Sequence, residues 1–383
     1  MHTTTGKVIL FIVVLVNCCQ FSSLSEAATR TTLNGQIFGL ANQIKRSLND
    51  NPLVEGHSLQ LGTFDAGEEA ITSNFGQRIE HLLRDELNGI LVEQSRLRLV
   101  GNYHFVSSEE PTLRNIRILL VAAKIVDDRD RELASWTVEV NDTDNIMQAL
   151  GLTGSAPQNA ASTFQERNQS VQTAHLKPTF AVAHQHYVAA ADQPLFSVGL
   201  QTKPSALGSV TPVVPQNVGG LAYVPVAIGE YYEILLANTD SIDVVATVTV
   251  DGLDVANTFS SDLDSGGKRI HWPGYLVPAG KTVVIRGWLN SITPSVKDNL
   301  YTFKVDELGK GAASAVRARG SIGVVTAQFR EACAPEARLS GRSFGETARG
   351  EGIQEKLTSR PVQIGENVLS TVSIRYNRPE VKK

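Results

Sequence analysis

The chain has 383 residues, 19% of them charged, and a formal net charge of −4. That length accommodates two ordinary domains, and a nucleic-acid footprint, which needs clustered Lys/Arg and a high pI, is excluded. Of three cysteines, Cys18 and Cys19 lie close to the N-terminus, leaving Cys333 alone in the rest of the chain. No internal disulfide is expected there, and the core must hold by packing.

Met1–Gly6 is polar, Lys7 adds one positive charge, and Val8–Val16 (VILFIVVLV) is unbroken apolar. Ser25-Glu26-Ala27 then places small residues at the −3 and −1 positions of a cleavage site. This is the layout of a secretory signal peptide over 1–27, with Ala27 the last residue removed. The apolar run is short of the ~20 residues a membrane-spanning helix needs. A second reading takes Leu15-Val16-Asn17-Cys18 as a lipoprotein site with Cys18 carrying the lipid, although Asn17 fits poorly before a lipidated Cys. Only that alternative implies membrane association. Either way the expected location is extracytoplasmic.

From residue 28 to 151 the pattern is mixed α and β. Ile37, Leu40, Ala41, Ile44 and Leu48 recur at helical spacing within Gln36–Leu48, with Asn34 as a candidate cap. His57–Phe64 reads as a strand. Ser73 or Asn74 can cap a second helix whose apolar face runs from Phe75 through Ile79, Leu82, Leu83 and Leu87 to Ile90 and Leu91. Three strands follow at Leu97–Val106, Asn115–Val126 and Glu132–Val140, the middle one nearly continuous apolar and therefore central. Asp127–Asp130 reads as a tight hairpin turn. Asp144 caps a short helix over Asn145–Leu150. The expected order is α-β-α-β-β-β-α.

That order, together with Leu61-Gly62-Thr63-Phe64, Phe75-Gly76, the Val100-Gly101-Asn102-Tyr103 strand and Ala123–Asp127 leading to Glu132–Ser135, resembles a family of small exported bacterial domains. The family includes the flagellar outer-membrane protein FlgO, the penicillin-binding-protein activator LpoB, and the curli-secretion and TolB amino-terminal domains. The resemblance covers about a third of the chain. It implies a non-enzymatic envelope domain that binds another protein or assembles, and no functional residue transfers from it.

Residues 152–195, rich in Ala, Ser, Thr, Asn and Gln over Leu152–Ala174, read as a flexible linker. His184-Gln185-His186 near its end puts two imidazoles on one face if the segment is a strand, which is how a metal site begins, but no Cys or acidic pair completes a ligand set. From Phe196 short strands rich in Val, Ile, Tyr and Thr are punctuated by Gly and Pro, with turn signals at Asp251-Gly252 and Ala279-Gly280. This spacing predicts an all-β sandwich over 196–377, a long exposed loop at 338–360, a closing strand at Val372–Tyr376 and a tail at 378–383. Thr249–Val255 (TVDGLDV) and Val284–Trp288 (VIRGW) resemble the core strands of an uncharacterised bacterial β-sandwich domain.

Several constellations bear on chemistry. Asp262-Leu263-Asp264-Ser265-Gly266 has the start of a calcium loop, yet the twelfth position is Pro273 where an EF-hand has Glu. Asp262 and Asp264 stay weak metal candidates beside the plain reading of a hydrophilic turn. His271-Trp272-Pro273-Gly274-Tyr275 places an aromatic pair in a sandwich loop; exposed, Trp272 and Tyr275 with His271 would stack on a sugar ring or anchor a partner protein. Buried, Trp272 is a plug over the sandwich end. Trp288 and Trp136 read as core, and Cys333 as a small semi-buried residue and not a reactive thiol. Gly341-Arg342-Ser343-Phe344-Gly345 has the letters of a nucleophile elbow without its strand-to-helix setting. Asn141 and Asn168 open glycosylation sequons, which matter only in a eukaryote. No catalytic signature and no cofactor motif is present. The sequence thus predicts an exported α+β plus β-sandwich protein that binds a protein or cell-wall glycan in the envelope without catalysis. The alternatives are a secreted carbohydrate-binding protein and an enzyme whose site forms only in three dimensions.

Overall fold

A computed structural model describes residues 10–15, 32–66, 75–107, 117–155, 164–264, 267, 269–293, 296, 298–306, 323–333, 352–355 and 357–376. Cys18, Ala27, the candidate caps Ser73 and Asn74, Gly341–Gly345 and the 378–383 tail lie outside them. The fold is α+β and rich in strands. In chain order the elements begin with β1 (Leu10–Leu15), α1 (Leu33–Asp50), β2 (Gln60–Ala66), α2 (Phe75–Glu86), β3 (Arg98–Ser107), β4 (Arg117–Val126), β5 (Glu132–Val140) and α3 (Thr143–Leu150). Next come β6 (Gly154–Ser155), α4 (Phe164–Leu176), β7 (Ala181–Ala183), β8 (Tyr187–Ala189), β9 (Phe196–Lys203), β10 (Thr211–Pro212), β11 (Gln216–Val218) and β12 (Leu221–Tyr223). The remainder are β13 (Tyr231–Asn238), β14 (Val244–Val250), β15 (Leu253–Asp254), β16 (Tyr275–Val277), β17 (Lys281–Ile285), β18 (Gly287–Leu289), β19 (Leu300–Lys304), β20 (Val324–Cys333), β21 (Gly352–Ile353) and β22 (Leu357–Arg375).

Strands β2-β3-β4-β5 form one sheet, parallel between β2 and β3 and antiparallel thereafter. The buried face of α1 (Leu33, Ile37, Leu40, Ala41, Ile44, Leu48) joins Ile79 and Leu83 of α2 and the alternating residues Leu99, Tyr103, Leu119, Val121, Ala123 and Ile125 in one core. Alternate residues on the opposite sheet face, Asn102, His104, Lys124, Thr137 and Glu139, are exposed. Thr32, not Asn34, caps α1, its Oγ1 accepting from the Gly35 amide at 3.2 Å. Helix α2 stops at Glu86, earlier than its apolar pattern predicts. Gly89 takes φ +85°, and the Ile90 carbonyl and Val92 amide pair with Leu59 at 3.1 and 2.8 Å, drawing that stretch to the sheet. Asp142, not Asp144, caps α3.

The other strands build two nine-stranded sheets. One runs β1-β16-β14-β20-β22-β12-β11 and the other β18-β19-β13-β9-β8-β7, with short strands at their flanks. Their side chains share one core: Phe196 of β9 stacks on Phe329 of β20 at 5.4 Å between ring centroids, and Trp288, in the core as its alternation predicts, meets Phe303 edge-on. The Asp251-Gly252 turn has φ of +52° and +78°, the primed hairpin geometry that Asp-Gly favours. Trp136 is half-buried against the other core.

Four expectations are corrected. The described part of the expected flexible linker at 152–195 carries regular elements: β6 pairs with β22, α4 contributes Val171 and Ala174 to the first core, and β7 and β8 belong to a sheet. Among the described side chains of α4 only Val171 and Ala174 are buried and apolar, which leaves no legible stripe. His184-Gln185-His186 is the β7–β8 turn, with φ +47° at His184 and +69° at Gln185, so its imidazoles do not share a strand face. The end of the expected 338–360 loop is strand, since β21 pairs with β19 and Leu357–Arg360 pair with β1. Cys333 is exposed rather than semi-buried; desolvation and then Glu331 push its thiol pKa up, which keeps it a poor nucleophile.

Candidate functional site

The loop from Asp254 to Tyr275 holds the metal candidates Asp262 and Asp264 and the binding candidates His271, Trp272 and Tyr275. Its start is fixed by Asp254, whose Oδ1 accepts from the Ala256 and Asn257 amides at 2.9 and 3.1 Å. The Asn257 side chain then brackets the Trp272 backbone, donating to its carbonyl and accepting from its amide, each at 2.7 Å. Arg269 laces the loop by donating to the carbonyls of Asn257, Thr258 and Ser260.

Within this frame the aromatic pair is not a platform. Trp272 is 2% exposed and Tyr275 fully buried. The indole Nε1 donates to Asp262 Oδ2 at 3.2 Å, while the Tyr275 ring enters the shared core. Backbone geometry enforces this: Gly274 has φ +144° and passes so close to β14 that a Cβ there would lie 2.4 Å from the Ala246 carbonyl. Burial, then the nearby Asp254 charge, drives the Tyr275 hydroxyl pKa well up, and that hydroxyl has no hydrogen-bond partner. Of the three candidates only His271 is exposed.

The calcium-loop reading is corrected in the same way. Asp262 is fully buried and accepts from Ser291 Oγ at 2.6 Å and the Ile292 amide at 3.1 Å as well as from Trp272. Asp264 is exposed two residues on. One carboxylate is thus taken up inside the fold and the other lies at the surface, and among the described residues there is no group of three His, Cys, Asp or Glu that could hold a metal ion.

What the loop does is meet α2. Arg78, His81 and Asp85 occupy the helix face that approaches it; Arg269 Nη1 lies 3.8 Å from Asp85 Oδ1, and His81 Nε2 lies 3.7 Å from Asp85 Oδ2. Burial lowers the Arg78 pKa, with Asp254 and Asp85 opposing that shift. Burial also lowers the His81 pKa first; Arg78 and Arg269 lower it further, and Asp85 and Asp254 act against them. Arg78 Nε and His81 Nδ1 have no hydrogen-bond partner. Sequence reading followed the apolar stripe of α2 and missed this polar one, whose signal was the Arg78, His81, Asp85 spacing of three and four. A second tie joins α3 and the residues just after it to β20 and β22: Gln328 Nε2 donates to the Asp144 carbonyl at 2.7 Å and Ser373 Oγ to the Leu152 carbonyl at 3.1 Å.

The seam therefore carries a pH signature. The unfolded chain protonates His81 near pH 6.5, whereas the folded seam protonates it only at lower pH. Between those values the unfolded state binds more protons, so stability rises with pH and falls as pH drops below about 6.5. Thermal melting at pH 5 and pH 7.5 should show a lower midpoint at pH 5, and His81→Gln should shrink the difference. An undiminished difference would exclude His81 as its source.

Comparison with protein-family models, with curated proteins and with solved structures returns no match.

Proposed function

We propose that this is an exported cell-envelope protein that binds or assembles with another protein and performs no catalysis. The observation that carries the reading is the N-terminal layout of Lys7, the apolar Val8–Val16 and Ser25-Glu26-Ala27. In this reading residues 28–151 form the FlgO/LpoB-like α+β domain and the two-sheet unit is a β-sandwich. Three motifs of that resemblance support it by meeting at one point. The Phe64 amide donates to buried Glu80 at 3.0 Å, Gly76 passes against the Phe64 carbonyl, and the Phe64 ring lies over Gly101. The carbohydrate-binding alternative loses its platform with the burial of Trp272 and Tyr275.

A fusion of residues 1–40 to a β-lactamase lacking its own leader tests export. Ampicillin resistance is expected, because the enzyme protects a bacterium only from outside the cytoplasm. Sensitivity at normal expression would refute the reading. Cys18→Ser separates cleavage from lipidation: retained release into the soluble fraction places the cut after Ala27.

A further inference from the structure

The export reading has a structural consequence. Strand β1 lies inside the segment a leader peptidase would remove, yet it is paired on both sides. It runs parallel to β22 along six residues, from Leu10 beside Leu357 to Leu15 beside Val362. On its other side it runs antiparallel to β16, with Phe11 opposite Leu276 and Ile12 opposite Tyr275. Leu357–Val362 has no other strand partner among the described residues, because β20 meets β22 only from Gln363 onward. β16 has β14 on its far side.

Hydrolysis of the Ala27–Ala28 bond and loss of the leader would thus leave two strand edges facing a gap one strand wide. Unpaired backbone donors and acceptors along such edges are a template for another strand. The gap is apolar at its two ends, while exposed Ser359, Arg360 and Pro361 line its β22 edge between them. Leu276 and Val362, the register partners of Phe11 and Leu15, belong with Val245 and Ala332 to a small buried cluster separate from the shared core, with half-buried Ile364 beside it. Leu357 at the other end belongs to the shared core. An occupant must therefore be extended, and apolar where it faces Leu276, Val362 and Leu357; Leu10–Leu15 (LFIVVL) is apolar at every position.

We propose that, once the leader is removed, the gap between β16 and Leu357–Val362 accepts an extended, apolar strand of a separate protein, which adds to the sheet parallel to β22. Main-chain pairing supplies affinity, and the Leu276/Val362 cluster supplies the preference for apolar side chains. This rests on the export reading and names the surface by which the protein binds its partner.

The test exchanges the strand in place. The full chain, with a protease recognition sequence substituted at Ser22–Glu26, is folded and then cut. It is challenged with a labelled peptide of Lys7–Asn17 carrying three added lysines for solubility. Uncut chain should take up no peptide. Cut chain should take up one per molecule and slow amide exchange at Tyr275–Val277 and Leu357–Val362. A peptide with Asp at the Phe11 and Leu15 positions should bind at least tenfold more weakly; this control leaves the protein's folding untouched. Leu276→Lys should weaken uptake similarly. Three results overturn the proposal: no uptake by cut chain that has shed its own strand, both edges equally protected in the emptied chain because its own 334–350 segment fills the gap, or a dimer of emptied chains closing it. The export reading fails separately, by a native chain that retains Met1.

Discussion

Gly76→Ala should unfold the α+β unit or destabilise it by about 3 kcal/mol or more. A Cβ at residue 76 would sit 1.9 Å from the Phe64 carbonyl oxygen and 3.1 Å from its carbon. Overpacking a core costs about 1–3 kcal/mol where side chains can yield, and here the obstacle is backbone. That backbone cannot retreat. Phe64 is tied by its amide to Glu80 on α2 itself, and its ring is pressed on Gly101, where a Cβ would lie 2.3 Å from both the ring and the Ala122 carbonyl. Gly39 in α1 provides the control, since a Cβ there meets nothing within 4 Å. Gly39→Ala should stabilise by roughly 0.5–1 kcal/mol through the ordinary helix preference. Urea unfolding followed by circular dichroism reads both variants. A Gly76→Ala midpoint equal to the parent would mean that α2 does not approach β2 as described.

Glu233→Ala should cost about 3–5 kcal/mol, the range for stripping one partner from a buried ion pair. Glu233 Oε1 lies 2.7 Å from Lys203 Nζ, and both side chains are 5% exposed. Gln201 Nε2 donates to the other carboxylate oxygen at 2.6 Å, and Lys203 also donates to the Ala206 carbonyl at 2.8 Å. Arg286 Nε stands 3.6 Å from Oε1 and bonds Glu355 in turn. Removing the carboxylate leaves the Lys203 ammonium desolvated, with one carbonyl in place of a counter-charge. The cost belongs to the orphaned charge, so the double variant Lys203→Met/Glu233→Leu should recover most of the loss. A double variant no more stable than Glu233→Ala would place the cost in lost packing instead.

Local structure was legible wherever one physical rule dominated. The α1 stripe, the alternation on β3 to β5 and the Asp-Gly turn at 251–252 all follow from patterns within ten or twenty residues. Helix α4 was illegible because Val171 and Ala174 are its only buried apolar residues among the described side chains, and the length of β22 because its first six residues pair with a strand more than 340 positions earlier. The site failed for a related reason. Trp272 and Tyr275 resemble a surface aromatic pair in sequence, but Asn257 and Asp262, ten to fifteen residues upstream, fold them inward. The Lys203–Glu233 pair spans two strands, and the Arg78–His81–Arg269 seam joins residues nearly two hundred positions apart. Such pairings exist only in the fold.

The most direct test of the central claim is the intact mass of the native protein, with soluble and membrane fractions kept apart. The account predicts a chain beginning at Ala28 in the extracytoplasmic soluble fraction. A chain beginning at Cys18 with added acyl mass would move it to a membrane, and a full 41.4 kDa chain in the cytoplasm would contradict export and the strand-accepting gap that follows from it.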